Sequence, residues 1–254
     1  MEQVLADFDD KDRKLVIDAS TAATQAEPVV IIDGKPAVRK GDLVVVVGGK
    51  CSGKSNLASL LAAACISPTP IGGSLWIPDG KRIAIFDTGQ SDGSISRRSA
   101  RALNTAGARA SLTECGDFTY FTIKDFSAVE RMIIIQRVCE RLRPDIVYID
   151  GLSALFDVCD GESAEEAMSF LEGYVLAEQR TVFATMFARS YALRMVRDGL
   201  MSLAGVVASL TREHRGDSIV FDVTTRDRDH EETSLSFRVV DDGSRYEILK
   251  PLTE

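Results

Sequence analysis

Gly48-Gly49-Lys50-Cys51-Ser52-Gly53-Lys54-Ser55 decides how this chain is read. The octet fits G-x-x-x-x-G-K-S. An apolar run, Leu43-Val44-Val45-Val46-Val47, stands before it, and Leu57, Leu60, Leu61 and Ala64 recur at helical spacing after it. Strand, glycine-rich turn and helix in that order is the context in which this pattern cradles phosphate. Glycines let the main chain wrap closely around an anion. The amides of residues 50–55 then point inward, and the start of the helix adds partial positive charge. Lys54 would meet the β- and γ-phosphates, and Ser55 would offer its hydroxyl to Mg²⁺. The expected nucleotide-contacting set is Gly48, Gly49, Lys50, Cys51, Ser52, Gly53, Lys54, Ser55 and Asn56, and the expected ligand is ATP with Mg²⁺.

The 254 residues carry a net charge of -8 and are 45% apolar. That charge argues against a protein that coats nucleic acid through bulk electrostatics. No apolar run approaches membrane-spanning length, and Met1-Glu2-Gln3 lacks a cationic start with an apolar core behind it. A cytoplasmic chain with no membrane partner is the expectation. Cysteines at 51, 65, 115, 139 and 159 show no C-x-x-C pair, so a zinc site or disulfide framework is not expected. Cys51 differs from the rest by lying inside the phosphate loop.

Residues 1–27 are polar and weakly periodic and read as an N-terminal arm, and 28–254 as one nucleotide-binding domain. Val29-Val30-Ile31-Ile32 with Asp33-Gly34 reads as strand and turn. A Pro/Gly-rich stretch over 68–80 reads as a loop or hairpin anchored by Trp76. Buried strands are expected at Ile83-Ala84-Ile85-Phe86-Asp87 and Ile146-Val147-Tyr148-Ile149-Asp150, a short strand at 118–123 and a further strand at 181–186. A helix is expected over 92–105, with Arg97, Arg98 and Arg101 on a solvated face. A second follows the stripe Val129, Met132, Ile135, Val138, Cys139 and Leu142, ended by Pro144. Ser163 and Glu166 form a capping-box pattern. The last third changes rhythm, with strands at 205–210, 218–223, 235–239 and 246–249 and no long helices between them. Apolar strands alternating with amphipathic helices indicate an α/β fold: a mainly parallel sheet covered by helices on both faces, with C-terminal antiparallel strands.

A triphosphate site also needs an acid near the serine hydroxyl to hold the metal. Asp150 closes four apolar residues in the pattern that supplies it, so Ser55 and Asp150 form the expected metal pair. The loop and Asp150 are almost a hundred residues apart, with the strand ending in Asp87 between them. That order resembles the RecA-like P-loop ATPases. Within them it resembles the hexameric replicative helicase (RepA-type) family of plasmids and mobile elements. The resemblance runs over roughly 30–250. It is carried by Gly41-Asp42, the loop itself, Asp87-Thr88-Gly89-Gln90-Ser91, Ile149-Asp150-Gly151-Leu152, residues 199–211, and Arg226 with Arg228.

The resemblance implies a RecA-like P-loop NTPase fold and a RecA-like ATPase domain over 28–254. It also implies a homo-oligomer, a ring among the possibilities, and a role in DNA replication or mobilisation of a mobile element. Arg226 or Arg228, alternating on an edge hairpin, would reach the γ-phosphate of a neighbouring subunit. Single-stranded DNA would meet residues 188–202, where Arg189, Arg194 and Arg197 accompany Tyr191. The preceding loop, with Asp157, Asp160 and Glu162, is acidic and unsuited to phosphate. Two departures stand out. Gly89 occupies the place of the family's water-activating glutamate, and Thr185-Met186-Phe187 the place of its histidine or glutamine sensor. Glycine accepts no proton, and losing a general base costs roughly 10²–10⁴-fold in rate. Impaired hydrolysis is expected, with Asp87 or Gln90 left to position a water, a task glutamine can perform. The catalytic set is therefore Lys54, Asp150, Gln90, Arg226 and Arg228. The alternative is an assembly or regulatory module that binds ATP with little turnover.

Overall fold

The computed structural model describes residues 26–78, 80–107, 118–155, 168–176, 179–187, 200–201 and 203–250. Its centre is β3 (Leu43–Gly48), buried throughout Leu43–Val46. Consecutive β-branched residues suit a strand covered on both faces. Strand β3 lies between two parallel neighbours, β8 (Thr181–Phe187) and β9 (Val206–Arg215). Beyond β8 follow β7 (Ile146–Asp150), β5 (Ile83–Asp87) and the edge strand β6 (Phe118–Thr122), all parallel. Beyond β9 the direction alternates through β10 (Ser218–Asp227), β11 (Glu232–Val239) and β12 (Tyr246–Leu249). Among the described residues the main sheet thus runs β12-β11-β10-β9-β3-β8-β7-β5-β6. The expected parallel sheet with an antiparallel C-terminal extension is what forms.

Alternation along the strands divides the core in two. Val44, Val46, Ile85 and Tyr148 face α1 (Lys54–Ile66) and Ala102 of α2 (Asp92–Ala106). Leu43, Val45, Phe86 and Ile149 face the other side, where Ile135 and Cys139 of α3 (Ala128–Leu142) cover them. Helix α1 is buried at every position from Leu57 to Cys65, not only along the expected stripe. It is packed against the main sheet and against α2, and it also touches β4 (Leu75–Trp76) of a small sheet. That sheet, completed by β1 (Pro28–Ile32) and β2 (Lys35–Arg39), lies against β10 and β11, and its apolar residues join the same cluster. An apolar helix without a polar face fits such a position. Helix α3 begins with a capping box, Ser127 with Glu130, and ends where Arg143 takes a left-handed φ of 46° ahead of Pro144.

Three expectations need correction. Trp76 is only partly buried, while Leu75 and Ile77 are 1% and 0% exposed and anchor this stretch instead. Strands β9 and β10 outrun their apolar segments, because an antiparallel ribbon needs cover on one face only and accepts polar residues on the other. Arg226 therefore sits on an interior strand, paired across from Val207 and Glu232, and Arg228 lies in the turn beyond it. Neither is on an edge hairpin. The capping pattern at Ser163, the acidic loop and nearly all of 188–202 lie outside the described residues, as does the arm except Ala26 and Glu27. Among the described residues no helix is long and apolar enough to cross a membrane.

Candidate functional site

The carboxyl ends of β3, β5, β7 and β8 open into a cavity of about 650 Å³ lined by residues 50–56, Asp87, Gln90, Asp150, Thr185 and Phe187. Ligands gather at this end of parallel sheets. The loop leaves β3 at Gly48 and enters α1 through Gly53, whose φ of 101° is left-handed. A Cβ at Gly53 would collide with the Phe221 ring of β10, so glycine is required there for both space and conformation. Lys54 folds back over the loop. Its Nζ donates to Gly49 O at 2.8 Å and Gly48 O at 2.9 Å, and the Phe187 ring covers it at 4.6 Å. Burial pulls the ammonium below the usual lysine range, while the charge of Asp150 works against that.

Asp150 ends β7 in register with Asp87 at the end of β5. The two carboxylates have separate jobs. Asp87 is 1% exposed, and its Oδ1 accepts from Gly89 N at 3.0 Å and Gln90 N at 2.7 Å. Burial pushes its carboxyl above the ordinary range. It shapes the turn and presents no oxygen as an exposed base. Asp150 faces the cavity. Its Oδ1 accepts from Thr185 Oγ1 at 3.0 Å, and Thr185 in turn accepts from Gly151 N at 2.7 Å. Its Oδ2 accepts from Gln90 Nε2 at 2.9 Å, and that same nitrogen donates to Ser55 Oγ at 2.6 Å. Ser55 and Asp150 therefore turn hard oxygen atoms toward one electropositive centre, which is the donor set Mg²⁺ takes. Tyr148, fully buried, donates to Lys54 O at 2.7 Å and ties the helix start to β7. A neutral bond of this kind contributes about 1 kcal/mol.

Local periodicity missed Arg98. It is half-buried on α2, lines the cavity, and forms no ion pair or hydrogen bond among the described residues. Arg101 is not on a solvated face either. It lies over the Tyr246 ring and donates to Gly243 O at 3.0 Å and Asn56 Oδ1 at 3.4 Å. Only Arg97 behaves as expected, reaching Ser94 on an exposed surface. Buried Ser99 and Ala102 mark the packed face of α2, and Arg98 and Arg101 flank it; that was the available signal. Asn56 turns its side-chain oxygen to Arg101 and to Tyr246 Oη at 3.3 Å. Arg226 and Arg228 stand at the opposite end of the sheet from the loop of their own chain. Arg226 is exposed and pairs with Glu232 at 2.9 Å, whereas Arg228 donates to Leu203 O and Ala204 O.

Cys51 is exposed, on the cavity wall. Alkylation with a maleimide is expected to block ATP binding, and saturating ATP to slow labelling at Cys51 specifically, read by peptide mass spectrometry. Labelling at the same rate with and without ATP would show the thiol to be clear of the phosphates.

A family model described as AAA domain (AAA_25) matches residues 11–190. No curated protein matches the sequence significantly. Among solved structures, a KaiC-like protein, PH0186, from Pyrococcus horikoshii OT3 aligns with a TM-score of 0.57 at 15% identity, over 87% of this chain and 94% of that one. The flagellar accessory protein FlaH from Methanocaldococcus jannaschii aligns with a TM-score of 0.59 at 14% identity, over 85% of this chain and 92% of that one. At such identities the likeness concerns fold, and the fold is the RecA-like P-loop architecture.

Proposed function

The chain belongs to the AAA domain family of P-loop ATPases, and on that premise we propose that it holds ATP with Mg²⁺ at the loop 48–55 and hydrolyses it slowly. Nucleotide then serves to assemble copies of the chain more than to drive a fast motor. One observation supports this reading: the loop residues, Ser55 and Asp150 line one cavity with Gly89, and glycine has no side chain to accept a proton there. Lys54 neutralises the β- and γ-phosphates. Ser55 and Asp150 hold Mg²⁺, which supplies Lewis-acid stabilisation of the transferring phosphoryl group, and Thr185 fixes the Asp150 carboxylate. Arg98 offers a second cation inside the cavity.

Arg226 is the better candidate for a trans-acting arginine. An exposed ion pair such as that with Glu232 is worth little and can be exchanged for a neighbour's γ-phosphate. The guanidinium of Arg228 is engaged with its own chain's carbonyls and positions the turn after β10. The resemblance seen in the sequence supports a ring, a cytoplasmic role in DNA replication or mobilisation of a mobile element, and single-stranded DNA contact through residues 188–202.

The test is ATP binding and turnover measured with and without single-stranded DNA, with oligomeric mass recorded in parallel. Tight Mg²⁺-dependent binding, slow turnover and a mass that rises with ATP are expected. Fast turnover stimulated by DNA would overturn the slow-module reading in favour of a replicative motor.

A further inference from the structure

Two oxygens that should face a divalent cation, Ser55 Oγ and Asp150 Oδ2, converge on a single nitrogen. Gln90 Nε2 lies 2.6 Å from the first and 2.9 Å from the second. An ionised carboxylate only accepts hydrogen bonds, so the amide must turn its NH₂, not its carbonyl, toward Asp150. The NH₂ group thus performs for these oxygens the electrostatic task of a cation. It has no lone pair for a metal. Mg²⁺ approaches its oxygen ligands to about 2.0–2.1 Å and holds a full octahedral shell. The NH₂ group in this position and a metal ion on both oxygens exclude each other.

The main chain of Gln90 cannot retreat cheaply. Its amide donates to Asp87 Oδ1 at 2.7 Å, and Asp87 is buried. Thr88 on the other side of Gly89 donates to Asp150 O at 2.8 Å. Only the side-chain torsions of Gln90 are left to move.

We propose that Gln90 is a latch on the metal position: its amide satisfies Ser55 and Asp150 in the metal-free site and must swing away before a divalent cation can bind. The proposal rests on the reading of Ser55 and Asp150 as the metal pair. It makes Gln90 a positioning residue that opposes metal loading, which is distinct from orienting a water.

The experiment titrates Mn²⁺ into the full chain saturated with ADP and reads free Mn²⁺ by electron paramagnetic resonance. Gln90→Leu keeps bulk and removes both hydrogen bonds; Gln90→Ala is the second variant should the first fold poorly. Mn²⁺ affinity is expected to rise roughly 5- to 30-fold in either, the effect of deleting two competing bonds, one to a carboxylate. Unchanged or weaker Mn²⁺ affinity overturns the latch. Asp150→Asn separates the two failures. If it loses Mn²⁺ while Gln90→Leu gains none, the latch alone is wrong. If it binds Mn²⁺ as the parent does, the metal pair is wrong and the latch falls with it.

Discussion

Replacing Gly89 with glutamate is expected to raise ATP turnover by roughly 10²–10⁴-fold, the usual contribution of a positioned general base. The backbone is ready to receive the side chain. Gly89 does not use a left-handed φ, and a Cβ built on it meets nothing within 4 Å. Its amide is anchored to Asp87 Oδ1 at 3.0 Å, and Gln90, the next residue, reaches Ser55 and Asp150. A carboxylate introduced there would start from a held main chain on the wall of the cavity that Ser55 and Asp150 also line. The measurement is single-turnover phosphate release with enzyme in excess, which isolates chemistry from product release. Gly89→Gln is the control, since an amide fills the same space without accepting a proton. A gain with glutamate and none with glutamine is expected. Equal rates in all three proteins, with ATP still bound, would mean that water is activated from elsewhere and that the slow-turnover reading has the wrong cause.

What could be read from the sequence was what depends on local pattern. The valine run of β3 and the apolar runs of β5 and β7 are buried on both faces, so their composition announced them. The phosphate loop and Asp150 were legible because each sits at the carboxyl end of such a run. What escaped depends on contacts far apart in the chain. Arg98 looks like one of three arginines on a charged helix until α2 is laid beside the loop. Thr185 reads as a weak substitute for a sensor, yet it bridges Asp150 to Gly151 across two strands. Gln90 suggested a water-orienting group from its residue type, whereas its amide is spent on Ser55 and Asp150. Trp76 reads as the packing anchor of its stretch, yet it is only partly buried. The period of a strand instead buries its neighbours Leu75 and Ile77.

Lys54→Ala is expected to weaken ATP binding by roughly 10- to 100-fold, the value of a charge-assisted bond to phosphate, and to remove turnover with it. The geometry around Lys54 explains why the loss need not be larger. The ammonium already satisfies Gly48 O and Gly49 O at 2.9 and 2.8 Å and lies against Phe187. Arriving phosphate must replace those contacts, so part of the new attraction offsets what is given up. The same burial that depresses the Lys54 pKa gives a second readout. Phosphate favours the charged ammonium, so binding raises the pKa again. Affinity should therefore be full below the depressed value of the free site and fall as pH rises through it. That decline begins at lower pH than an ordinary lysine would give, and it is absent in Lys54→Ala. Isothermal titration with a non-hydrolysable ATP analogue across the alkaline range reads both effects. A variant that binds as tightly as the parent, with the same pH dependence, would show that the phosphates do not rest on this lysine.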